Sequence, residues 1–484
     1  MRSGLLFRND PMITLGVVFK TLTGIQPPWT DQVIADVGID SRTLIPGSMF
    51  VALPGESADG HDYVQEAFDR GASFALIDRD VDPGIRVIDL RSGVEEGFQE
   101  EVELPFCLRV DDALAAMQRV AGAWREQLEL RVIGITGSVG KTTTKELTTT
   151  VLKQRYRTLK NPGNLNNEIG LPMTLWRLGE GYQRAVLEMG FYVPGEIEFL
   201  CDLAHPSVGV ITNIGMVHAE RAGAQEDIAR GKAELVRSLP SAPEGTAILN
   251  YDDPFVRDMA ELTDARIFYY GLSPGADLWA DEVEGLGLDG IKCRLNYQGG
   301  SIHLKVPLIG RHSVHTVLRA AAVGLVEGLS WEEITRGLRS EHTQLRLVAV
   351  RSASGAMVLD DTYNASPKSM LADLNLLEEM AGRKIAVLGD MLELGRYEDQ
   401  GHRKVGIRAA EVVDELVTVG KLGAIIARAA SQSGLKDEKI HAFSDGDEAI
   451  KFLMDFLTED DIVLVKGSRG MRMDRIVAAL ENKS

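Results

Sequence analysis

A short stretch, GSVGKTTT at residues 137–144, has the residue types and spacing of a phosphate-binding loop. Gly137 and Gly140 permit a tight turn whose N–H groups face an anion, and a following helix would point its positive end at the same place. Lys141 supplies a cation for terminal phosphates, and the Thr142 hydroxyl can ligate magnesium. Ile135 stands where the usual pattern has its first glycine. The predicted residues of this nucleoside triphosphate site are Gly137, Ser138, Val139, Gly140, Lys141, Thr142, Thr143 and Thr144.

Three other residues could take part in phosphate chemistry, although each has an ordinary alternative. Glu188 ends a strand-like run, where ligands of a parallel sheet bind, but strand-end carboxylates are usually only solvated. His218 follows another strand-like run, and a lone histidine is more often structural. Lys232 lies in a helical pattern and by default is a surface charge. An ammonium group has no lone pair, so Lys232 could join a cation site only after covalent change.

Strand-like and helical patterns alternate along the chain in three zones. The first zone, about 13–125, contains SMFVAL, ASFALID and a helical stretch between them. The second contains RVIGITG, AVLEMG and VGVITNIG, and ends in the alternating run SIHLKVPLIG, which predicts antiparallel strands. The third contains AMVLDD, KIAVLGD, ELVTVG, KIHAF and DIVLVKG. Strands rich in valine and isoleucine that alternate with helices predict parallel sheets covered on both faces.

We therefore predict an α/β fold of three domains. They are an N-terminal α/β module at 1–128, a central P-loop domain with a parallel sheet at 129–345, and a C-terminal doubly wound, Rossmann-like domain at 346–484. A length of 484 residues also exceeds that of one ordinary core. The periodicity breaks near 125–130 and 343–356, which predicts connecting hinges there.

Composition excludes several classes of protein. A formal net charge of −19 and a pI near 5.0 would repel nucleic acid and anionic membranes. Cys107, Cys201 and Cys293 are too scattered for a disulfide framework or a zinc site. No apolar run approaches the ~18 residues needed to cross a bilayer. We expect a cytoplasmic protein that does not insert into membranes.

Considered together, the motifs resemble the Mur ligase family, the ATP-dependent amide-forming enzymes of peptidoglycan assembly, and most of all its D-alanyl-D-alanine-adding branch. The resemblance covers nearly the whole chain, and the segments GDMLELG and DDTYNASPKSM are its most selective parts. The other motifs are DSRTLIPGSMFVALPGESADGH, GSVGKTTTKE, NPGNLNNEIGLPMT, LEMG, NIGMVHAE and KGSRGMRM.

The resemblance implies a reaction and a set of catalytic residues. ATP would phosphorylate the terminal carboxylate of a UDP-N-acetylmuramoyl-tripeptide, and the amine of D-alanyl-D-alanine would attack the resulting acyl phosphate. Two Mg²⁺ ions would be held through Thr142, Glu188, His218 and Lys232, with Lys232 carbamylated by CO₂ so that it presents oxygens. Lys141 would contact the phosphates, and Arg346 would approach them from the domain junction.

The resemblance also assigns binding residues. Ser41 and Arg42 would face the uridine diphosphate end, and an amide-rich loop of Asn164, Asn166 and Asn167 would lie near the muramyl peptide, although such a loop can equally cap its own backbone. Thr316 and Asp361 would contact ATP. Tyr363, Asn364, Asp390 and Glu393 would form the nucleotide and dipeptide face of the third domain. Ser313 and Thr316 stand where this family usually has asparagine.

Two alternative functions use the same loop. A folylpolyglutamate-synthase-like ligase would share the scaffold but lack GDMLELG. A switch or motor NTPase would hydrolyse nucleotide without an acceptor, and it has no need of the series Glu188, His218 and Lys232. We expect a monomer, because the domains of such a ligase must move around their substrates.

Overall fold

The computed structural model describes residues 13–55, 58–93, 102–179, 181–215, 223–340 and 348–481. Strands and helices alternate, and the strands form three sheets of five, nine and six members, so the predicted α/β fold is confirmed. The chain divides into two compact units. The first comprises Met1–Gly134, Tyr156–Gly190 and Glu196–Val208, and the second comprises Ile135–Arg155, Phe191–Gly195 and Gly209–Ser484. The boundary between residues 128 and 129 stays a prediction, and that between 345 and 346 lies outside the described residues.

The five-stranded sheet is entirely parallel and has the order β1-β2-β3-β5-β4. Its strands are β1 (Val37–Gly38), β2 (Met49–Val51), β3 (Phe74–Ile77), β4 (Val87–Asp89) and β5 (Phe106–Arg109). The helices of this region are α1 (Leu15–Thr23), α2 (Val64–Asp69) and α3 (Ala113–Glu126). Helix α3 begins where it does because the Asp112 side chain accepts a hydrogen bond from the Ala115 N–H.

The nine-stranded sheet has the order β14-β13-β12-β11-β10-β9-β6-β8-β7. Its strands are β6 (Arg131–Thr136), β7 (Thr158–Lys160), β8 (Arg184–Glu188), β9 (Val208–Ile211), β10 (Thr246–Asn250), β11 (Arg266–Gly271), β12 (Leu278–Gly285), β13 (Ile291–Tyr297) and β14 (Gly300–Val306). Strands β12, β13 and β14 pair antiparallel, which confirms the antiparallel set expected from the alternating run at its end.

Helices lie between these strands and after the last of them. They are α4 (Lys141–Leu152), α5 (Gly170–Trp176), α6 (Glu196–Ala204), α7 (Gln225–Lys232), α8 (Glu234–Arg237), α9 (Pro254–Arg257), α10 (Val314–Val326) and α11 (Trp331–Leu338). Helix α11 starts with a capping box, in which Ser330 and Glu333 bond to each other's backbone N–H groups. Helix α4 follows β6 after only four residues, so the predicted phosphate-binding loop lies between a strand and a helix as expected.

The six-stranded sheet has the order β15-β16-β20-β17-β18-β19 and is parallel except for β15. Its strands are β15 (Val348–Arg351), β16 (Met357–Asp361), β17 (Arg383–Gly389), β18 (Glu415–Val419), β19 (Ile440–Phe443) and β20 (Asp461–Lys466). The helices are α12 (Pro367–Glu379), α13 (Glu398–Val412), α14 (Gly423–Gln432), α15 (Gly446–Phe456) and α16 (Asp474–Glu481).

Successive residues of the central strands enter two different hydrophobic clusters. Leu359 and Ala386 belong to one cluster, whereas Val358 and Ile385 belong to the other. Because neighbouring side chains of a strand point to opposite faces, the sheet is covered on both sides, as a doubly wound fold requires. Strand β15 forms part of the segment expected to be a hinge at 343–356, and it pairs antiparallel with β16. Four residues of this segment are therefore held in the sheet.

Among the described helices, none is both long enough and apolar enough to cross a membrane.

Candidate active site

The phosphate-binding loop has the backbone that its glycines predict. Gly137 follows β6 with φ of 140°, and Gly140 precedes α4 with φ of 85°. Lys141 opens the helix, and its Nζ donates to the carbonyl oxygen of Gly137 at 2.9 Å, which closes the loop across its two ends. The N-terminus of α4 and a lysine thus meet at one loop, an arrangement suited to phosphate. Thr142 and Thr143 are half-buried in the first turn of α4.

The segment after β9 supports the same loop from its other side. A Cβ atom at Gly137 would lie 1.9 Å from Oγ1 of Thr212, so only glycine fits. Thr212 and Asn213 both donate side-chain hydrogen bonds to the Val139 carbonyl, at 2.8 and 2.9 Å. Ser138 and Gly215 bond to each other through the Ser138 hydroxyl, which donates to the Gly215 oxygen and accepts from its N–H. The loop conformation is therefore fixed by tertiary contacts as well as by its own sequence.

A buried arginine that the sequence analysis did not single out lies against the loop. Arg319, on α10, is only 4% exposed. Its Nε donates to Oγ1 of Thr144 at 2.8 Å, and its Nη2 donates to Oγ1 of Thr316 at 2.8 Å. Thr316, predicted to contact ATP, thus lies beside the loop and accepts from an arginine. The available signal was a single cation in the otherwise apolar run VLRAAAVGL.

Glu188 is buried at the end of β8 and is 1% exposed. Asn166 Nδ2 donates to its Oε1 at 2.9 Å. Asn161, which is fully buried, holds the same strand end: it accepts from the Glu188 N–H at 2.9 Å and donates to the Glu188 carbonyl at 3.0 Å. The structure therefore brings Glu188 and Asn166 together, and it adds Asn161 as an anchor that the sequence analysis did not identify.

The other two asparagines of this loop differ in environment. Asn167 Oδ1 accepts from the Gly170 N–H at 2.9 Å, so its side chain caps the start of α5. Asn164 is exposed. The capping alternative considered for the loop thus applies to Asn167, whereas Asn164 presents its amide to solvent.

Lys232, at the end of α7, is 1% exposed rather than a surface charge. Its Nζ lies 4.7 Å from the centroid of the Phe191 ring. The covalent change that metal binding would require starts from the neutral amine, the form of a lysine that reacts with CO₂.

In the first unit, Ser41 is buried and Arg42 is exposed on a short 3₁₀ turn, Ser41–Thr43. Asp40 begins the turn and binds the Arg42 guanidinium through two hydrogen bonds, of 2.9 and 2.8 Å. These bonds lower the pKa of Asp40 to about 2. Asp40 therefore orients Arg42 toward solvent while remaining charged.

Asp361 ends β16 and forms a buried charged cluster with Lys466 and Asp373. The Lys466 ammonium, 1% exposed, donates to Asp361 and lies 2.9 Å from Oδ2 of Asp373. Burial raises the pKa of Asp373 to about 7, opposed by the charge of Lys466. Lys466 thus holds the carboxylate that the sequence analysis assigned to ATP, and the strand-end lysine of DIVLVKG was the available signal.

The remaining residues predicted for the third domain occupy different environments. Tyr363 is 40% exposed, and the guanidinium carbon of Arg469 lies 5.9 Å from its ring centroid. Asn364 is exposed, whereas Asp390 is buried and accepts from the Gly423 N–H at 2.7 Å. Glu393 has a positive φ of 67°. Tyr363 and Asn364 are thus accessible to a ligand, whereas the Asp390 carboxylate bonds to the first N–H of α14.

Two predicted catalytic residues, His218 and Arg346, lie outside the described residues. Among the residues that the structure does describe, no group of three or more histidine, cysteine, aspartate or glutamate side chains could by itself hold a metal ion.

Three family models match the chain. They are the Mur ligase middle domain at residues 135–324, the glutamate ligase domain of Mur ligases at 345–469, and the catalytic domain of the Mur ligase family at 33–102.

Individual relatives match over almost the full length. The UDP-N-acetylmuramoyl-tripeptide--D-alanyl-D-alanine ligase of Bacillus subtilis (strain 168) is 35% identical over 458 residues, which is 94% of each chain. The crystal structure I of MurF from Acinetobacter baumannii has a TM-score of 0.82 at 32% identity and covers 98% of this chain and 100% of its own. MurF ligase from Thermotoga maritima, solved in complex with ADP, has a TM-score of 0.76 at 26% identity and covers 92% and 97%.

Proposed function

Because this chain belongs to the Mur ligase family, we propose that it joins D-alanyl-D-alanine to a UDP-N-acetylmuramoyl-tripeptide with ATP, the reaction that its full-length relatives are named for. The observation that carries this proposal is the 35% identity to such a ligase over 94% of both chains. The GDMLELG segment, selective for this branch, also argues against the folylpolyglutamate-synthase-like alternative.

The chemistry requires an activated carboxyl group. A carboxylate resists attack by an amine because oxide is a poor leaving group. In the proposed reaction, a peptide carboxylate oxygen attacks the γ-phosphorus of ATP, and ADP leaves with the electrons of the broken P–O bond. The amine of the dipeptide then attacks the carbonyl of the acyl phosphate, loses a proton, and expels inorganic phosphate. The liberated phosphate carries one oxygen from the peptide.

Electrostatics is the main obstacle, since a carboxylate must approach a triphosphate. At a separation of 4 Å, two unit charges repel by about 4 kcal/mol at an effective dielectric of 20. The loop from Gly137 to Lys141 opposes this repulsion with backbone N–H groups, a helix N-terminus and an ammonium group. The hydrogen bond from Lys141 to Gly137 holds the ammonium group against the loop.

The donor chemistry present fits magnesium. Glu188 offers a buried carboxylate and Thr142 a hydroxyl in the first turn of α4, both hard oxygen ligands of the type that Mg²⁺ prefers. We propose that these two residues, with His218, hold two Mg²⁺ ions, which when bound neutralise phosphate charge. Asn166 and Asn161 keep Glu188 in place, because together they bond to its side chain and to both of its backbone polar groups.

Lys232 is proposed to be carbamylated. The neutral amine nitrogen would add to CO₂ and release a proton, leaving an anion with two oxygens. Such a group would add negative charge where cations gather. Its Phe191 neighbour would then no longer face an ammonium group.

For the other substrates, we propose that Ser41 and the Asp40-oriented Arg42 bind the uridine diphosphate end. A guanidinium that donates two hydrogen bonds to one carboxylate still has other N–H groups that can donate to phosphate. Asn164, Asn166 and Asn167 are assigned to the muramyl peptide, and Tyr363, Asn364, Asp390 and Glu393 to the nucleotide and dipeptide face with Asp361. Arg346 is assigned to the phosphates. A cytoplasmic, monomeric enzyme remains our expectation.

Phosphate release in a coupled assay tests the function. We expect release only when ATP, UDP-N-acetylmuramoyl-tripeptide and D-alanyl-D-alanine are all present. Single amino acids in place of the dipeptide should give little product. Release with folate and glutamate would support the folylpolyglutamate-synthase-like alternative, and release with ATP alone would support an NTPase switch.

A further inference from the structure

The second unit contains a buried guanidinium, that of Arg319. It lies in the middle of the apolar helix α10, where the adjacent Leu318 and Ala320 are fully buried, and it is itself 4% exposed. Burying a cation costs several kcal/mol unless an anion or good hydrogen bonds compensate it. Its surroundings should therefore supply an anion or good hydrogen bonds.

The observed partners of Arg319 are all neutral. Thr144 and Thr316 accept at 2.8 Å each, and the Tyr270 hydroxyl is at a long 3.5 Å. The hydrogen bonds of Arg319 go to hydroxyl groups, whereas the carboxylates of Asp252 and Asp253 accept from the Leu272 N–H and the Ile214 N–H, respectively. The positive charge is thus held by three hydroxyl oxygens and no carboxylate.

The same guanidinium adjoins the phosphate-binding loop. A Cβ atom at Gly140 would lie 3.1 Å from Nη2 of Arg319, so this nitrogen packs against the last glycine of the loop. Thr144 links the two, because its hydroxyl accepts from Arg319 and donates to the Gly140 carbonyl at 2.6 Å. The Tyr270 hydroxyl donates to the Thr212 carbonyl at 2.9 Å. The hydrogen-bond network of Arg319 therefore also reaches Thr212, the residue that packs against Gly137.

Neighbouring groups are consistent with an uncompensated positive charge. The pKa of His315 falls to about 4, mainly through burial and next through the charge of Arg319. His315 is therefore neutral near pH 7 and adds no second cation. Phosphates bound by the loop would place negative charge beside Arg319.

We infer that Arg319 is a positioning residue for the nucleotide: it fixes the first turn of α4 through Thr144, and its charge is compensated by the phosphates of the bound nucleotide. The inference rests on the proposed use of ATP and extends it to a residue outside the phosphate-binding motif. It also gives Thr316, expected to contact ATP, a second role, since Thr316 accepts from Arg319.

The test is the affinity of the purified full chain for ADP and for AMP, measured by calorimetry, together with the Tm of the ligand-free protein. For Arg319→Gln, we expect ADP to bind about tenfold or more weakly. The substitution removes the positive charge of the guanidinium, which attracts the diphosphate even when that attraction is partly screened. AMP, with less charge at the loop, should lose less. The ligand-free Tm should stay unchanged or rise, because a buried charge has been removed.

Arg125→Gln is the matched control. Arg125 is also buried, at 7% exposed, but it donates to the carbonyls of Ala204, Leu128 and Leu130. Its loss should lower the Tm and leave both nucleotide affinities unchanged. Arg319→Lys keeps the positive charge but lacks the planar set of N–H donors of a guanidinium group. We therefore expect both nucleotides to bind more weakly. The ratio of the ADP affinity to the AMP affinity should stay within about threefold of that of the parent.

Each outcome has a definite meaning. An Arg319→Gln protein that melts lower but binds ADP within twofold of the parent would show a purely structural role and overturn the inference. If Arg319→Gln does not fold, Arg319→Lys decides: unchanged affinity for both nucleotides would overturn it. Absence of ADP binding by the unmutated chain would instead contradict the proposed function itself.

Discussion

Replacing Asn161 by alanine should damage both the stability and the activity of this chain. Asn161 is fully buried, and its side chain makes three hydrogen bonds: to the Leu165 carbonyl at 2.7 Å, to the Glu188 carbonyl at 3.0 Å and from the Glu188 N–H at 2.9 Å. It thereby ties the asparagine-rich loop to the strand end that carries Glu188.

The cost follows from the groups left behind. Alanine would leave up to three backbone groups without partners in a buried environment, and each unsatisfied group costs about 1–3 kcal/mol. Because local relaxation and water recover part of this, we expect the free energy of unfolding to fall by about 3 kcal/mol. The carboxylate of Glu188 would also be less firmly placed, so kcat should fall at least tenfold at saturating substrates, by about 1.4 kcal/mol of activation free energy.

Urea unfolding and steady-state kinetics measure the two effects. Asn164→Ala serves as the control for stability, because the Asn164 side chain is exposed, and its change should stay within about 0.5 kcal/mol. An Asn161→Ala protein as stable as Asn164→Ala would refute the hydrogen-bond argument. A destabilised protein with full kcat would refute the positioning of Glu188 by Asn161.

Three further outcomes are expected. Gly137→Ala should weaken ADP binding about tenfold or more in calorimetry, because its Cβ would lie 1.9 Å from Oγ1 of Thr212. Burial raises the folded-state pKa of Asp373 from 3.8 to about 7, so the parent protein loses stability as the pH rises from 5 to 7.5. Asp373→Asn lacks this titrating group. The stability of the variant relative to the parent should therefore increase by about 2–3 kcal/mol over that pH range. Lys232→Ala should lose nearly all activity and regain part of it with added short carboxylic acids, and the parent should show a carbamate signal by NMR in ¹³CO₂.

Each of these three predictions has its own control or its own contradicting result. Gly24→Ala tests the effect of a positive φ alone, since nothing lies within 4 Å of a Cβ there, and it should not alter ADP affinity. A pH-independent stability difference for Asp373→Asn would contradict the raised pKa. Lys145, another fully buried lysine, provides the rescue control: Lys145→Ala should not respond to carboxylic acids. Equal rescue of both variants, or no carbamate signal, would remove Lys232 from its proposed role.

Much of the architecture could be predicted from local patterns. Buried runs such as Arg131–Thr136 and Asp461–Lys466 are strands, and the glycine spacing after Thr136 correctly predicted a turn that leads into a helix. These features depend on backbone freedom and hydrophobic periodicity, which the sequence displays directly. The strand Val348–Arg351 was not expected, because an edge strand with mostly exposed side chains has little hydrophobic signal.

The supporting residues of the site were harder to predict because their partners are distant in sequence. Arg319 bonds to Thr144 across 175 positions, and Lys466 bonds to Asp361 across 105. Neither pairing has a local pattern. Asp390 belongs to a motif that suggested ligand binding. In the fold, its carboxylate accepts a hydrogen bond from the Gly423 N–H at the start of α14.

The origin of the oxygen atoms in the released phosphate tests the proposed reaction most directly. The terminal carboxylate of UDP-N-acetylmuramoyl-tripeptide would be labelled with ¹⁸O and incubated with the chain, ATP and D-alanyl-D-alanine. We predict that one labelled oxygen appears in inorganic phosphate for each peptide bond formed. Peptide-bond formation with unlabelled phosphate would contradict an acyl phosphate and the role given to the phosphate-binding loop.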